Sequence, residues 1–169
     1  TKNDEFKFKP GKKIDGIFLS PNNKVYVFSG KDYMELDKNK IDGKDIDWKS
    51  SGKIHDDWGK VEGNITKTNS VDAAFVKGNH TFLFTGDEYI RYTGGAYDFV
   101  DIGYPKKIAS NTDNLPATWN KVDAAFHGKD NKTYFFDRNG QKYVSSDDLT
   151  TKKKIDDKFG LKLKTLVTK

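Results

Sequence analysis

Three aspartates recur along this chain in one local context, and a repeated carboxylate can act as a general base, a metal ligand or a hydrogen-bond anchor. They are Asp15, Asp72 and Asp123, spaced 57 and 51 residues apart. The three histidines are His55, His80 and His127. Imidazole is a common ligand of haem iron and of many metals, and His80 and His127 each fall in a turn that follows one of the aspartates, so this pair is a candidate ligand set. Cysteine is absent, which removes thiol nucleophiles, zinc–thiolate sites, haem-attachment motifs and disulfides while leaving export open. The sequence holds no Gly-any-Ser-any-Gly elbow, no His-Glu-any-any-His and no phosphate-cradling glycine loop. The pairs Asp56-Asp57 and Asp147-Asp148 lie in charged, loop-like stretches where nothing would raise a carboxyl pKa for acid catalysis. A non-catalytic protein is expected.

The context of the aspartates is an internal repeat. Ile14-Asp15-Gly16-Ile17-Phe18, Val71-Asp72-Ala73-Ala74-Phe75 and Val122-Asp123-Ala124-Ala125-Phe126 share the pattern apolar, Asp, small, apolar, Phe. A polar turn follows each, then a run of the form aromatic, any, Phe: Tyr26-Val27-Phe28, Phe82-Leu83-Phe84 and Tyr134-Phe135-Phe136. Short β-branched and aromatic runs bounded by Gly, Asn and Pro read as strands joined by hairpins. A third strand is predicted at Tyr33-Met34-Glu35-Leu36, at Tyr89-Ile90-Arg91-Tyr92 and, after an altered turn, within Asn139-Gly140-Gln141-Lys142-Tyr143-Val144. Each unit is therefore an antiparallel meander. The tails Lys53 to Trp58, Lys107 to Trp119 and Lys154 to Phe159 suit a short helical turn or loop followed by an outer edge strand, whose Lys and Asp residues discourage pairing with other chains.

A chain of 169 residues supports one ordinary domain. Only 34% of residues are hydrophobic, but 12 Phe, 8 Tyr and 3 Trp mean that burial rests on large rings. The net charge of +5 comes from interleaved Lys and Asp, the pattern of a solvated surface. Arg91 and Arg138 are the only arginines, too few for bidentate reading of base edges, so nucleic acid is not an expected partner. No apolar run approaches the roughly 20 residues that span a bilayer. Lys152-Lys153-Lys154 reads as a solvated turn. The stretch Asp37 to Gly43 hints at a calcium loop but has Asp42 and Trp48 where an EF-hand needs Gly and Glu, and reads as a solvated insertion. Sequons at Asn64, Asn79 and Asn131 are about as many as chance supplies.

A meander of about 50 residues repeated around an axis is the signature of a β-propeller blade. Innermost strands converge at the axis, where Ala73-Ala74 and Ala124-Ala125 supply the required smallness, and Phe18, Phe75 and Phe126 fill the wider space between blades.

Val71-Asp72-Ala73-Ala74-Phe75, Phe82-Leu83-Phe84, Gly86-Asp87, Tyr89, Arg91-Tyr92 and Gly103-Tyr104-Pro105-Lys106 with Ile108 resemble, in that order, one hemopexin-type repeat. The third repeat shares Asp-Ala-Ala-Phe and the aromatic-any-Phe run, and the first shares Asp15, Phe18, Phe28, Gly30 and Tyr33. The chain departs from the family pattern at Gly16, in the third repeat's turn and in having no Cys pair. The resemblance implies an all-β, four-bladed propeller formed by a single domain over residues 1–169. Its blades would be 14–65, 71–120 and 122–169, with a fourth expected beyond Lys169, from the same longer chain or from another chain. It also implies a structural cation, calcium or sodium, on main-chain carbonyls in the central channel. By motif match these carbonyls are those of Asp15, Asp72 and Asp123, with Ile17, Ala74 and Ala125 as a second layer, and intervening amides could hold chloride.

The expected function is that of a secreted binding module recognising a protein or cell-surface partner through a propeller face, with contacts between Thr93 and Phe99 and around Tyr104. The alternatives are carriage of a small ligand, haem or a polyamine, at the channel mouth, or a structural role in a larger toxin-like or matrix-binding protein.

Overall fold

Alternating ring and polar positions, punctuated by turn residues, fold this chain into three four-stranded antiparallel meanders. The structure is a computed structural model that describes residues 13–41, 46–59 and 63–159. The first sheet runs β1 (Gly16–Leu19), β2 (Lys24–Ser29), β3 (Asp32–Ile41) and β4 (Ile46–Lys53). The second runs β5 (Ala73–Lys77), β6 (His80–Thr85), β7 (Glu88–Thr93) and β8 (Lys106–Lys107). The third runs β9 (Ala124–His127), β10 (Thr133–Asp137), β11 (Lys142–Ser145) and β12 (Asp148–Lys154). Short helices α1 (Ile54–Asp57), α2 (Asn64–Thr68) and α3 (Ile155–Phe159) and a 3-10 turn at Ile108–Ser110 link or cap the sheets. The sheets are set side by side as blades, with β1, β5 and β9 the neighbouring inner strands.

The register is the same in all three blades. Phe18 faces Tyr26, Phe75 faces Phe82 and Phe126 faces Tyr134, while the small residues Gly16, Ala73 and Ala124 lie opposite Phe28, Phe84 and Phe136. One face of every blade is thus a ring face, with the paired rings stacked at 5.5, 4.7 and 5.0 Å. The ring face of the first blade packs on Ala74, Leu83, Ile90 and Tyr92 of the second. That of the second packs on Phe135 and Val144 of the third. The ring face of the third blade carries Phe159 of α3, 5.3–6.1 Å from Phe126, Tyr134, Phe136 and Tyr143. Phe126 is 41% exposed, whereas Phe18 and Phe75 are 7% and 3% exposed.

The tails differ from expectation in their order. The edge strand comes first and the helical turn second, because β4 pairs antiparallel with β3, and β12 with β11, before the chain enters the helical turn. The helical turn then carries Ile54 and Trp58 back onto the ring face. Lys152-Lys153-Lys154 is not a turn; it ends the exposed edge strand β12, where repulsion guards an open row of backbone groups. Residues 37–41 belong to β3 rather than to an inserted loop. Positions 42–45 and the last ten residues of the third blade lie outside the described residues.

Candidate functional site

Small residues let the three inner strands approach one another. A Cβ placed on Gly16 would lie 3.5 Å from the Cβ of Ala74 in the neighbouring blade. Along this line lie two cavities of about 180 Å³ each. One is lined by Asp15, Gly16 and Ile17, by Ala73 and Ala74, and by Asp123, Ala124 and Ala125. The other lies toward Leu19, Val76 and His127. Residues of all three motifs therefore share one axial channel.

The motif aspartates have a common job. Each sends Oδ2 to a backbone N–H in the turn between the second and third strands of its own blade: Gly30 to Asp15 at 2.8 Å, Gly86 to Asp72 at 2.7 Å and Arg138 to Asp123 at 2.9 Å. The first two turns place a glycine at positive φ, 61° and 55°; the longer third turn gives that conformation to Gln141 at 49°. The other carboxylate oxygen meets a lysine. Lys121 Nζ lies 3.2 Å from Asp72 and 3.4 Å from Asp123, clasping the second blade to the third. Partial burial opposes its charge, but the two carboxylates outweigh that and hold the Lys121 pKa above its ordinary value. Lys13 pairs with Asp15 at 2.7 Å. Both lysines stand two residues before their aspartate, where the second repeat has Ser70; that offset is the sequence signal by which the clasp could have been found.

With the carboxylates so committed, only main-chain oxygens remain for a cation on the axis. β1, β5 and β9 each pair along one edge alone, which leaves alternate carbonyls free of a strand partner. Among the described residues no cluster of three or more His, Cys, Asp or Glu could hold a metal. The donor set fits a hard cation that accepts neutral oxygen ligands, calcium or sodium, and does not fit a transition metal.

His80 and His127 both line a cleft of about 580 Å³ between the second and third blades, at the opposite end of the strands from the aspartate clasps. His80 Nδ1 is 3.1 Å from Thr93 Oγ1, and that hydroxyl donates to Asp101 Oδ2 at 2.9 Å. His127 Nδ1 is 3.0 Å from Thr133 Oγ1. His55 is elsewhere, beside Asp56 on the surface. The cleft wall includes Asp113, which sequence reasoning missed. Its Oδ2 accepts the hydroxyls of Tyr89 and Tyr104, each at 2.6 Å, and its Oδ1 accepts from Arg91 at 3.1 Å. Burial pushes the Asp113 carboxyl up, yet these donors and Lys106 hold it below the usual carboxylate range. The same carboxylate and burial push the Tyr89 and Tyr104 hydroxyls well above the ordinary phenol value.

Of the residues expected to contact a partner, Tyr97 and Tyr104 are taken up by the structure. Tyr97 is 7% exposed and stacks on Trp58 at 4.3 Å, and its hydroxyl meets Ser20 of the first blade and Thr81 of the second. Tyr104 lies under Arg91 and Lys106, 5.0 and 4.6 Å from its ring centre. A ring spaced for a loop was drawn into the gap between blades, where burial repays more than exposure. Beside them Phe99 and Ile102 are 78% and fully exposed. Of the sequons, Asn64 is tied by its side chain to Asp87 at 2.7 Å, whereas Asn79 and Asn131 are exposed in turns.

Residues 71–117 match the family model described as hemopexin. Similar solved structures include plant proteins. A seed albumin from Lathyrus sativus is 27% identical with a TM-score of 0.63, the match covering 78% of this chain and 59% of the albumin. A hemopexin fold protein from cow pea is 24% identical with a TM-score of 0.65, over 85% of this chain and 68% of that one. A plant lectin with two metal binding sites from Cicer arietinum is 23% identical with a TM-score of 0.63, over 86% and 69%. No curated protein matches the chain. The second repeat thus matches the hemopexin family model, the fold of the chain is that of the hemopexin-type propellers, and the chain spans 59% of the first of these relatives.

Proposed function

We propose that the chain is a non-catalytic binding module of an exported protein, recognising a protein or cell-surface partner through one end of the propeller. The observation that carries this reading is the segment 94–103. Its backbone is pinned by Asp101 N to Arg91 O at 2.9 Å and by Asp101 Oδ2 to Arg91 Nε at 2.5 Å, while Phe99 and Ile102 point into solvent. Large apolar side chains on a braced loop are anchors whose ordering cost is already met. The likeness to a plant lectin and to albumins is consistent with recognition rather than catalysis. Phe99→Ala together with Ile102→Ala is expected to weaken binding to intact cells, or agglutination of them, by at least about tenfold while leaving Tm within about 1 °C. Unchanged cell binding by the double variant would overturn the reading.

The ring is completed, in this reading, by a fourth blade from the same longer chain or from another chain. The exposed Phe126 on the third ring face and the exposed Ile17 and Leu19 of β1 mark the two surfaces such a blade would cover. Lys13, in the position equivalent to Lys121, would then clasp its aspartate. Mass spectrometry of the native protein should find a product longer than this chain or a tightly held second chain; a native product ending at Lys169 that is a closed monomeric ring would refute closure by a fourth blade.

The channel would hold a structural calcium or sodium on the carbonyls of Asp15, Asp72 and Asp123, with Ile17, Ala74 and Ala125 behind them. What supports it is the shared axis together with the one-edged pairing of the inner strands.

A further inference from the structure

We propose that the cleft between the second and third blades is a binding site for an acidic saccharide, a sugar bearing a carboxylate or a sulfate ester. This goes beyond recognition by the 94–103 segment and does not depend on it. The argument is an inventory of donors and acceptors. Asp113, the acidic group in the wall, already accepts from Tyr89, Tyr104 and Arg91, so its acceptor capacity is largely spent. Lys77 at the end of β5 and Asn79 and Asn131 in the turns that follow β5 and β9 reach the same cleft, and among the described residues no side-chain hydrogen bond or ion pair occupies their donors. His80 adds the opposite polarity. The Thr93 hydroxyl spends its proton on Asp101, so His80 Nδ1 must be the donor to Thr93, which leaves Nε2 of the neutral ring with a lone pair.

A lone-pair nitrogen accepts a hydroxyl, two amides both donate and accept, and an unpaired ammonium takes an anion. That mixture suits a molecule carrying several hydroxyls and one oxyanion better than it suits a bare ion or an apolar ligand. The floor fits as well. Phe82 lines the cleft, 5% exposed and stacked on Phe75 at 4.7 Å, and closes its base with an apolar ring held rigidly in place. A volume of about 580 Å³ is of the size of a small-ligand site. The two blades present their turns to each other because their inner strands are neighbours, so the site exists only where two repeats meet.

The test is a titration of the folded chain with a heparin-derived disaccharide, which bears uronate and sulfate, against maltose and inorganic sulfate as comparators, read by calorimetry and by amide shifts. The disaccharide should bind, with shifts gathered at 77–82 and 127–133. Lys77→Gln and His80→Ala should each weaken it by about tenfold, the loss expected for a hydrogen bond to a charged group. Lys153→Gln, which removes the same charge from the edge of β12, should leave it unchanged. Phe99→Ala with Ile102→Ala should leave it unchanged too, which separates this site from the loop. The proposal fails if the disaccharide does not bind, if maltose or sulfate binds as well, or if Lys153→Gln costs as much as Lys77→Gln.

Discussion

Trp58→Ala is expected to cost about 3–5 kcal/mol of stability, the loss typical of a large buried ring replaced by alanine. Trp58 is 1% exposed. Its ring lies 4.3 Å from Tyr97, 4.9 Å from Phe28, 5.1 Å from Tyr26, 5.6 Å from Tyr33, 5.9 Å from Tyr92 and 6.1 Å from Phe18. Those partners come from both the first and the second blade, so the side chain is the filling between them. Its carbonyl also accepts the Tyr92 hydroxyl at 2.7 Å, a bond that survives the substitution because it is made by the backbone. The loss should therefore be of packing alone, and Trp58→Phe should recover roughly half of it. Urea unfolding followed by circular dichroism measures both variants; for a chain of this size the alanine variant should melt about 10 °C lower. A loss below about 1 kcal/mol would mean that the blade interface repacks around the void.

Asp72→Ala should cost about 2 kcal/mol, the penalty for stranding a partly buried donor. Two bonds go together, the one from Gly86 N at 2.7 Å and the one from Lys121 at 3.2 Å. Asp15→Ala removes a comparable turn bond, but its lysine is 61% exposed and, among the described residues, pairs only within its own blade, so its cost should be about half as large. Asp72→Asn keeps an acceptor for Gly86 and loses the charge, which isolates the clasp. Chemical denaturation of the three variants gives the ranking Asp72→Ala, then Asp72→Asn and Asp15→Ala; equal costs for the two alanine variants would show that Lys121 contributes nothing across the blades. The main-chain oxygens of position 72 survive in the variant. If calcium sits on them, EDTA lowers Tm of parent and variant by the same amount, and EDTA insensitivity with no metal by elemental analysis would exclude calcium from the channel.

The blade and its repeat were legible in the residue order because they are local. Apolar-Asp-small-apolar-Phe, a turn, and aromatic-any-Phe put ring opposite ring and small opposite ring within about twenty residues, and hairpin register converts that order directly into a ring face. The axis could be inferred too, since Gly16, Ala74 and Ala125 leave room where strands converge. The roles of the aspartates were only half legible. Their recurrence marked them as important and the resemblance assigned their main-chain carbonyls to a cation, but the residue order did not reveal the side-chain role, in which Oδ2 binds each blade's own turn and Lys121 bridges Asp72 and Asp123.

The amino-acid order alone determined that there are three aromatic-rich meanders with small residues on their first strands and no cysteine. It placed His80 and His127 in equivalent turns, whereas the structure puts them in the strands flanking those turns, at the start of β6 and the end of β9. Only the packed structure decided that Tyr97 is a wedge between blades while Phe99 and Ile102 remain in water, that Asp113 gathers two phenols and an arginine, and that His80 and His127 share one cleft. The physical reason is range. Hairpin pairing is set by neighbours a few positions away, but which side chains meet across a blade boundary depends on groups more than 30 residues apart brought together by burying rings, and no local pattern encodes that geometry.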